Sequence, residues 1–205
     1  MLLLQIALTN NRETSKNCIT CETTTVDLDH IFLPIGSDIF TIIFPADYDF
    51  AADLLWLKFA YLFGYISQTG KGYEYLPPYL DTITDLSPKW KFPYMFGAVI
   101  FHLETDFQDE GYHFIEKGIA NLPDFWELWL YKGYYLWKFY DDYVQASKVF
   151  SEAAKKPGSP SYLAALSTTI ALKSGDKEFA EELATEVINS LGDQETIKRI
   201  LNKFK

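Results

Sequence analysis

The sequence predicts an all-α fold, an α-solenoid of antiparallel helical hairpins behind a mostly irregular N-terminal lead-in. Three observations predict it. Pro88, Pro123 and Pro157 recur at spacings of 35 and 34 residues, and Gly64, Gly97 and Gly133 at 33 and 36. A landmark recurring near 34 residues is the period of a helix–turn–helix unit. Between the landmarks, apolar residues fall at helical spacing, as in Tyr143, Ala146, Phe150 and Ala153, which share one face. Aspartates stand where helix N-caps belong, at Asp47 or Asp49 and at Asp193.

A chain of 205 residues is long enough for one domain with a sizeable core. Its aromatic fraction of 17 % is high, which implies a thick core, a binding surface or both. Lys and Arg total 18 against 28 Asp and Glu, a net charge of −10. That balance argues against nucleic acid and against a bare anionic membrane surface as partners, because both repel it. It names no partner.

The N-terminal lead-in covers residues 1–46. Met1 to Leu8 is apolar and then gives way to Thr9-Asn10-Asn11-Arg12. This run falls short of the about 20 residues that a bilayer span requires. No basic region precedes it, so it does not read as a signal peptide. It reads either as the end of a membrane anchor that starts upstream or as a short buried segment. Residues 9–30 are rich in Thr, Asn, Ser and Asp and read as extended or loop. Ile39 to Phe44 is bounded by Pro34-Ile35-Gly36 and Pro45, and its length suits a short helix or a strand.

Cys18 and Cys21 form a CxxC pair within this lead-in. Haem attachment needs His next, and Glu22 stands there. A structural zinc needs two more ligands, and only His30 is near in sequence. A thioredoxin-like site expects a neighbouring βαβ pattern, which is missing. The pair is left with three readings: no chemical role, a local disulfide, or weak metal or redox chemistry.

From residue 47 to 205 the chain reads as helical repeats with a C-terminal capping helix. The apolar run Ala51 to Ile66 contains Asp53 and Lys58, which suits a buried helix better than a membrane span. The first unit covers about 54–88, with Gly64, Leu76, Leu80, Ile83 and Pro88 as landmarks. Pro77-Pro78 requires its second helix to start at the prolines or bend there. The second unit starts near Trp90, with Gly97 and Ile100 in its first helix and Gly111, Ile115 and Gly118 in its second. Gly111 and Gly118 read as packing residues that let two helices approach, despite their propensity cost. The third runs from Trp126 to about Pro160, with Trp129 and Gly133, then the turn Tyr140-Asp141-Asp142. The fourth runs from Ser161 to Leu191, with Ala171, the turn Gly175-Asp176, then Ala180 and Ala184. Asp193 opens a last helix to about Phe204, whose Lys198, Arg199, Lys203 and Lys205 supply the charged outer face of a terminal cap.

Over about residues 54–191 these landmarks resemble the tetratricopeptide repeat (TPR) family, with its order of a large residue, Leu-Gly, Tyr, then Ala, an aromatic and Pro. Lys132 and Leu136 stand where the family has Leu and Tyr, and no unit carries the whole pattern. The run Ala52-Asp53-Leu54-Leu55-Trp56-Leu57-Lys58, with Tyr61 and Gly64, is also similar to a group of uncharacterised bacterial repeat proteins in which a membrane anchor often precedes the repeats. The resemblance implies a right-handed TPR-like solenoid, membrane proximity through the N-terminus and the extracytoplasmic face of a membrane.

In that family the first helices of successive hairpins line a concave groove. With Gly64, Gly97, Gly133 and Thr168 as landmarks, groove places lie at −6, −3, +1 and +4. They are Lys58, Tyr61, Tyr65 and Gln68; Lys91, Tyr94, Ala98 and Phe101; Glu127, Leu130, Tyr134 and Trp137; and Tyr162, Ala165, Thr169 and Leu172. This aromatic set suits an apolar helix or peptide of a partner protein. The alternative is that the aromatics pack inside the repeats or against residues 31–46. The family's chaperone-tail clamp puts Asn at the +1 places, where Tyr65, Ala98 and Tyr134 stand, so an apolar segment fits better than a C-terminal carboxylate.

Enzyme chemistry finds little support. His102, Glu104, Asp106, His113 and Glu116 are the one concentration of His and acid, and they lack the HExxH spacing of a zinc hydrolase. Phosphate loops, dinucleotide fingerprints and nucleophile elbows are missing. The expected function is a non-enzymatic, cofactor-free scaffold in a larger complex. The alternatives are metal or redox chemistry at Cys18 and Cys21, and a repeat protein that pairs with itself.

Overall fold

The computed structural model describes residues 37–103, 107–190 and 193–204, all within a unit that runs from Pro34 to Lys205. The apolar Met1–Leu8 run, the Cys18/Cys21 pair, Glu104 and Asp106 lie outside the described residues.

Among the described residues the fold is all-helical. Ten α-helices follow in order: α1 Ser37–Ile43, α2 Tyr48–Thr69, α3 Leu76–Leu86, α4 Lys91–Leu103, α5 Gln108–Asn121, α6 Trp126–Lys138, α7 Tyr143–Ala154, α8 Tyr162–Lys173, α9 Lys177–Ser190 and α10 Gln194–Leu201. Each packs against the next, α4 also against α6, and α8 also against α10. Ile39 to Phe44, open between helix and strand in the sequence, falls in and just beyond helix α1, which rests on α3 and α2.

Local chemistry explains the boundaries. The Asp47 carboxylate accepts from Phe50 N at 2.9 Å and caps α2. Gly70 closes that helix in the left-handed region (φ 68°), donating its N–H to Ile66 O at 2.7 Å. Pro77 and Pro78 occupy the first turn of α3, where a missing N–H costs nothing, so the helix starts at the prolines instead of bending. Asp142 accepts from Gln145 N at 2.9 Å and opens α7, while its own N–H closes the turn on Leu136 O. Asp193 accepts from the backbone of Glu195 and Thr196 and starts α10. That helix ends at Leu201, short of the expected Phe204. Lys203, beyond the helix end and exposed, donates to Ala165 O on α8.

The core runs between consecutive helices. Ala146, Phe150 and Ala153 of α7 are buried, as the helical spacing requires; Ala146 and Phe150 cluster with Ile170 of α8, and Leu130, Leu136 and Leu166 pack against that cluster. Aromatics also join alternate helices. Trp56 of α2 meets Phe92 and Phe96 of α4 at 5.2 and 5.6 Å between ring centroids, and Phe63 meets Phe96 edge-on at 5.0 Å. Contacts of this kind contribute about 0.5–1.5 kcal/mol each beyond area burial. Ion pairs tie the second helices of neighbouring hairpins. Lys117 of α5 reaches Asp85 and Asp81 of α3 at 2.7 and 3.1 Å, and Lys155, just after α7, reaches Glu186 of α9 at 2.8 Å.

Four of the helix glycines are packing residues. A Cβ on Gly97 would lie 2.5 Å from Phe114 Cε1, one on Gly133 2.6 Å from Phe150 Cε1, and one on Gly118 2.7 Å from Leu128 Cδ1. One on Gly111 would strike the Tyr135 hydroxyl and Phe101 Cβ. Gly64 differs: it is exposed, and nothing approaches a Cβ there within 4 Å. The first hairpin therefore does not share the register that its glycine spacing predicts.

Candidate partner-binding groove

The cleft between α4 and α6 is an apolar hollow. Val99, His102 and Leu103 of α4 face Leu130, Tyr131 and Tyr134 of α6 around a cavity of about 350 Å³. Leu103 is 64 % exposed, and the other five are half-buried. The residues fall at helical spacing on both sides: 99, 102 and 103 on α4; 130, 131 and 134 on α6.

Backbone carbonyl Ala98 O organises one wall. The His102 ring nitrogen Nδ1 lies 2.9 Å from it, and because a carbonyl only accepts, Nδ1 carries the proton. The Tyr135 hydroxyl donates to the same carbonyl at 3.2 Å from a fully buried position. Burial, with the Tyr140 and Tyr134 phenols nearby, holds the Tyr135 hydroxyl far above the usual tyrosine range. His102 packs against Tyr134 with the rings tilted at 53° and centroids 5.1 Å apart, and sits 6.0 Å from Phe139. Its ring is thus held by both a hydrogen bond and aromatic packing.

The sequence-predicted groove residues divide. Leu130 and Tyr134 line the cavity. Trp137 meets Tyr134 edge-on at 6.4 Å and carries Lys138 and Lys173 over its ring at 4.3 and 5.1 Å. Glu127 is half-buried one turn below Tyr131. Burial, with the Glu127 carboxylate and the Tyr162 phenol beside it, holds the Tyr131 hydroxyl above its ordinary range. Tyr162, at the start of α8, is 50 % exposed. On α8, Ala165, Thr169 and Leu172 are half-buried; Ala165 and Leu172 pack against the last core cluster, and Lys203 engages both Ala165 and Thr169.

Tyr94, Ala98 and Phe101 do not face a groove; all three are fully buried. Phe101 packs edge-on against Phe114 at 5.7 Å, inside its own hairpin, and Tyr94 accepts from Asn121 Nδ2 at 2.9 Å. The accessible face of α4 is instead displaced by one residue, to Val99, His102 and Leu103. Lys91 lies over Phe125 at 4.8 Å, on the loop side. On α2, Lys58 lies 5.8 Å over Tyr79, Tyr65 is half-buried, and Tyr61 and Gln68 are exposed. The face that α2 turns to α4 is Trp56, Phe59 and Phe63.

The sequence reasoning missed Val99, Leu103 and Tyr131, and it weighed His102 only as a catalytic residue. A signal for them existed: after Gly97, the buried run 97, 98, 100, 101 leaves 99, 102 and 103 as the complementary stripe. The proposed His and acid concentration does not form one site among the described residues. His102 lines the α4–α6 cavity, whereas His113 lines another between α3 and α5 and pairs with Glu116 at 3.7 Å. Groups of three or more His, Cys, Asp or Glu fit to hold a metal are absent among the described residues. Likewise, none of the described helices is long and apolar enough to cross a membrane. No protein-family model, curated protein or solved structure matches the chain.

Proposed function

We propose that this chain is a TPR-like repeat scaffold without catalytic activity, which binds an apolar helix or peptide of a partner protein between α4 and α6. The observation that carries the reading is the half-open cavity walled by Val99, Leu103, Leu130, Tyr131 and Tyr134, with His102 anchored at its rim. Partly exposed aromatics on rigid helices offer contact area at low entropic cost, which is how interface hot spots are built. The hairpin pairs α2/α3, α4/α5, α6/α7 and α8/α9, followed by α10, support the solenoid arrangement. So does the same Gly–Phe contact at the same sequence distance in two of them. In this reading the right-handed superhelix is an expectation that the repeat resemblance carries, and the membrane proximity and extracytoplasmic setting are expectations that the N-terminal residues carry.

The test is capture from native extract with wild-type protein and with a Leu103→Ala/Tyr134→Ala variant as paired baits. A partner lost with the variant, while helical circular dichroism and melting temperature hold, supports the groove. A partner retained equally by both baits moves the binding surface elsewhere.

A second reading, self-association, draws on α2. Phe50, Leu54, Leu57 and Tyr61 fall at helical spacing and are 49, 41, 67 and 67 % exposed, an apolar stripe along a 22-residue helix. Light scattering decides it: a monomer across the working concentration range removes this reading.

A further inference from the structure

The groove reading above can be extended to the chemistry of the occupant, because opposite charges without ion-pair partners among the described residues stand at the two ends of α6. At its first turn stands Glu127. Its Oε2 is shielded from solvent with no hydrogen-bond partner, and the carboxylate makes no ion pair among the described residues. A shielded carboxylate that lacks a counter-charge favours any cation brought to it. At the last turn, Lys138 and Lys173 of α8 both hold their ammonium groups over the Trp137 indole, and neither has a carboxylate partner among the described residues. The apolar cavity lies between, lined by Leu130, Tyr131 and Tyr134 on the same helix.

Resting on that groove reading, we propose that the groove takes a peptide segment in which a basic side chain meets Glu127 and a large apolar side chain fills the Val99–Tyr134 cavity. The direction is set by charge. A basic residue at the Glu127 end gains a desolvated partner, whereas one at the Lys138/Lys173 end is repelled. The spacing is set by α6. Glu127 and the centre of the Leu130–Tyr134 wall are separated by about 8 Å at 1.5 Å of rise per residue, so a helical segment carries its basic residue one to two turns from the apolar anchor. The net charge of −10 acts in the same sense, since it draws a basic segment toward the protein at long range.

The test uses a displayed library of random 12-residue peptides selected on the full chain, then anisotropy titrations of the enriched peptides. The expected result is enrichment of Arg or Lys one to two helical turns from Leu, Phe or Trp. Glu127→Gln is expected to weaken these peptides about tenfold, while leaving unchanged the affinity of the same peptide with its basic residue replaced by Gln. Enriched peptides without a basic residue, or equal affinity for wild type and Glu127→Gln, overturn the charge proposal and leave the groove standing. Binding that survives Leu103→Ala/Tyr134→Ala, or no enrichment at all, overturns the groove reading and this proposal with it.

Discussion

Gly133 lies against the ring of Phe150 so closely that a methyl group on it would come 2.6 Å from Phe150 Cε1. Phe150 is itself 1 % exposed and belongs to a cluster with Ala146 and Ile170. The ring therefore has little room to retreat. Gly97 stands in the same relation to Phe114 one hairpin earlier. In both hairpins the glycine sets how near the second helix can come to the first.

A paired substitution separates packing from propensity. Gly133→Ala is expected to lower stability by about 1–3 kcal/mol through overpacking. Gly64→Ala, where nothing lies within 4 Å, is expected to raise it by about 0.5–1 kcal/mol through helix propensity alone. Urea melts followed by circular dichroism read both. A stabilising Gly133→Ala would show that the Gly–Phe contact does not hold the hairpin.

The Tyr135 hydroxyl and the His102 Nδ1–H share Ala98 O. Tyr135→Phe removes one donor and leaves the carbonyl with the other. The expected loss is therefore at the modest end for a buried hydrogen bond, about 1 kcal/mol. Loss of Nδ1–H as well, in Tyr135→Phe/His102→Phe, strips both ring and hydroxyl donors from Ala98 O and is expected to cost more than the sum of the single changes. Additivity in the double-mutant cycle would mean that the two donors act independently.

Alkaline pH tests the buried phenols. Burial is the leading cause that raises Tyr94, Tyr131 and Tyr135 above their ordinary value. For Lys117, burial works downward, but Asp85 and Asp81 outweigh it and hold the ammonium above the usual lysine range. A raised folded-state value contributes stability that is fully present below the unfolded value and is lost as pH rises through the folded one. The window thus opens at about pH 10, the unfolded tyrosine value. Tyr94, Tyr131 and Tyr135 are expected to ionise only as helical signal is lost, read by tyrosinate absorbance beside circular dichroism. If these three phenols ionise near pH 10 with the helices intact, their burial is wrong.

Much of the helix plan was legible because its causes are local. The Asp47 and Asp193 caps, the Pro77-Pro78 start and the Tyr140-Asp141-Asp142 and Gly175-Asp176 turns each depend on a few adjacent residues, and each appears where those residues stand. Gly111 and Gly118 were also legible as packing residues, since a glycine tolerated inside a helix needs a contact to explain it, whereas Gly97 and Gly133 were legible only as landmarks of the repeat. The extent of α10 was not: it ends at Leu201 with Asn202 as its C-cap, and Lys203 beyond it reaches Ala165 O on α8, a contact between residues far apart in sequence.

What the sequence determined by itself was therefore the all-helical class, the near-34-residue alternation of helix and turn, and the helix starts, because capping and propensity act over one or two turns. What only the tertiary structure decided was which side of each helix remains open. Tyr94 and Phe101 are core and Val99 and Leu103 are surface although all four sit on one apolar helix. Hydrophobicity cannot rank them, since both faces of α4 are apolar. The choice falls to the neighbours: α5 brings Phe114 and Gly111 onto one face, α6 brings Tyr134 and Tyr135 beside another, and the gap they leave is the groove. The same holds for Gly64, whose place in the glycine series is real in sequence but has no packing partner in space.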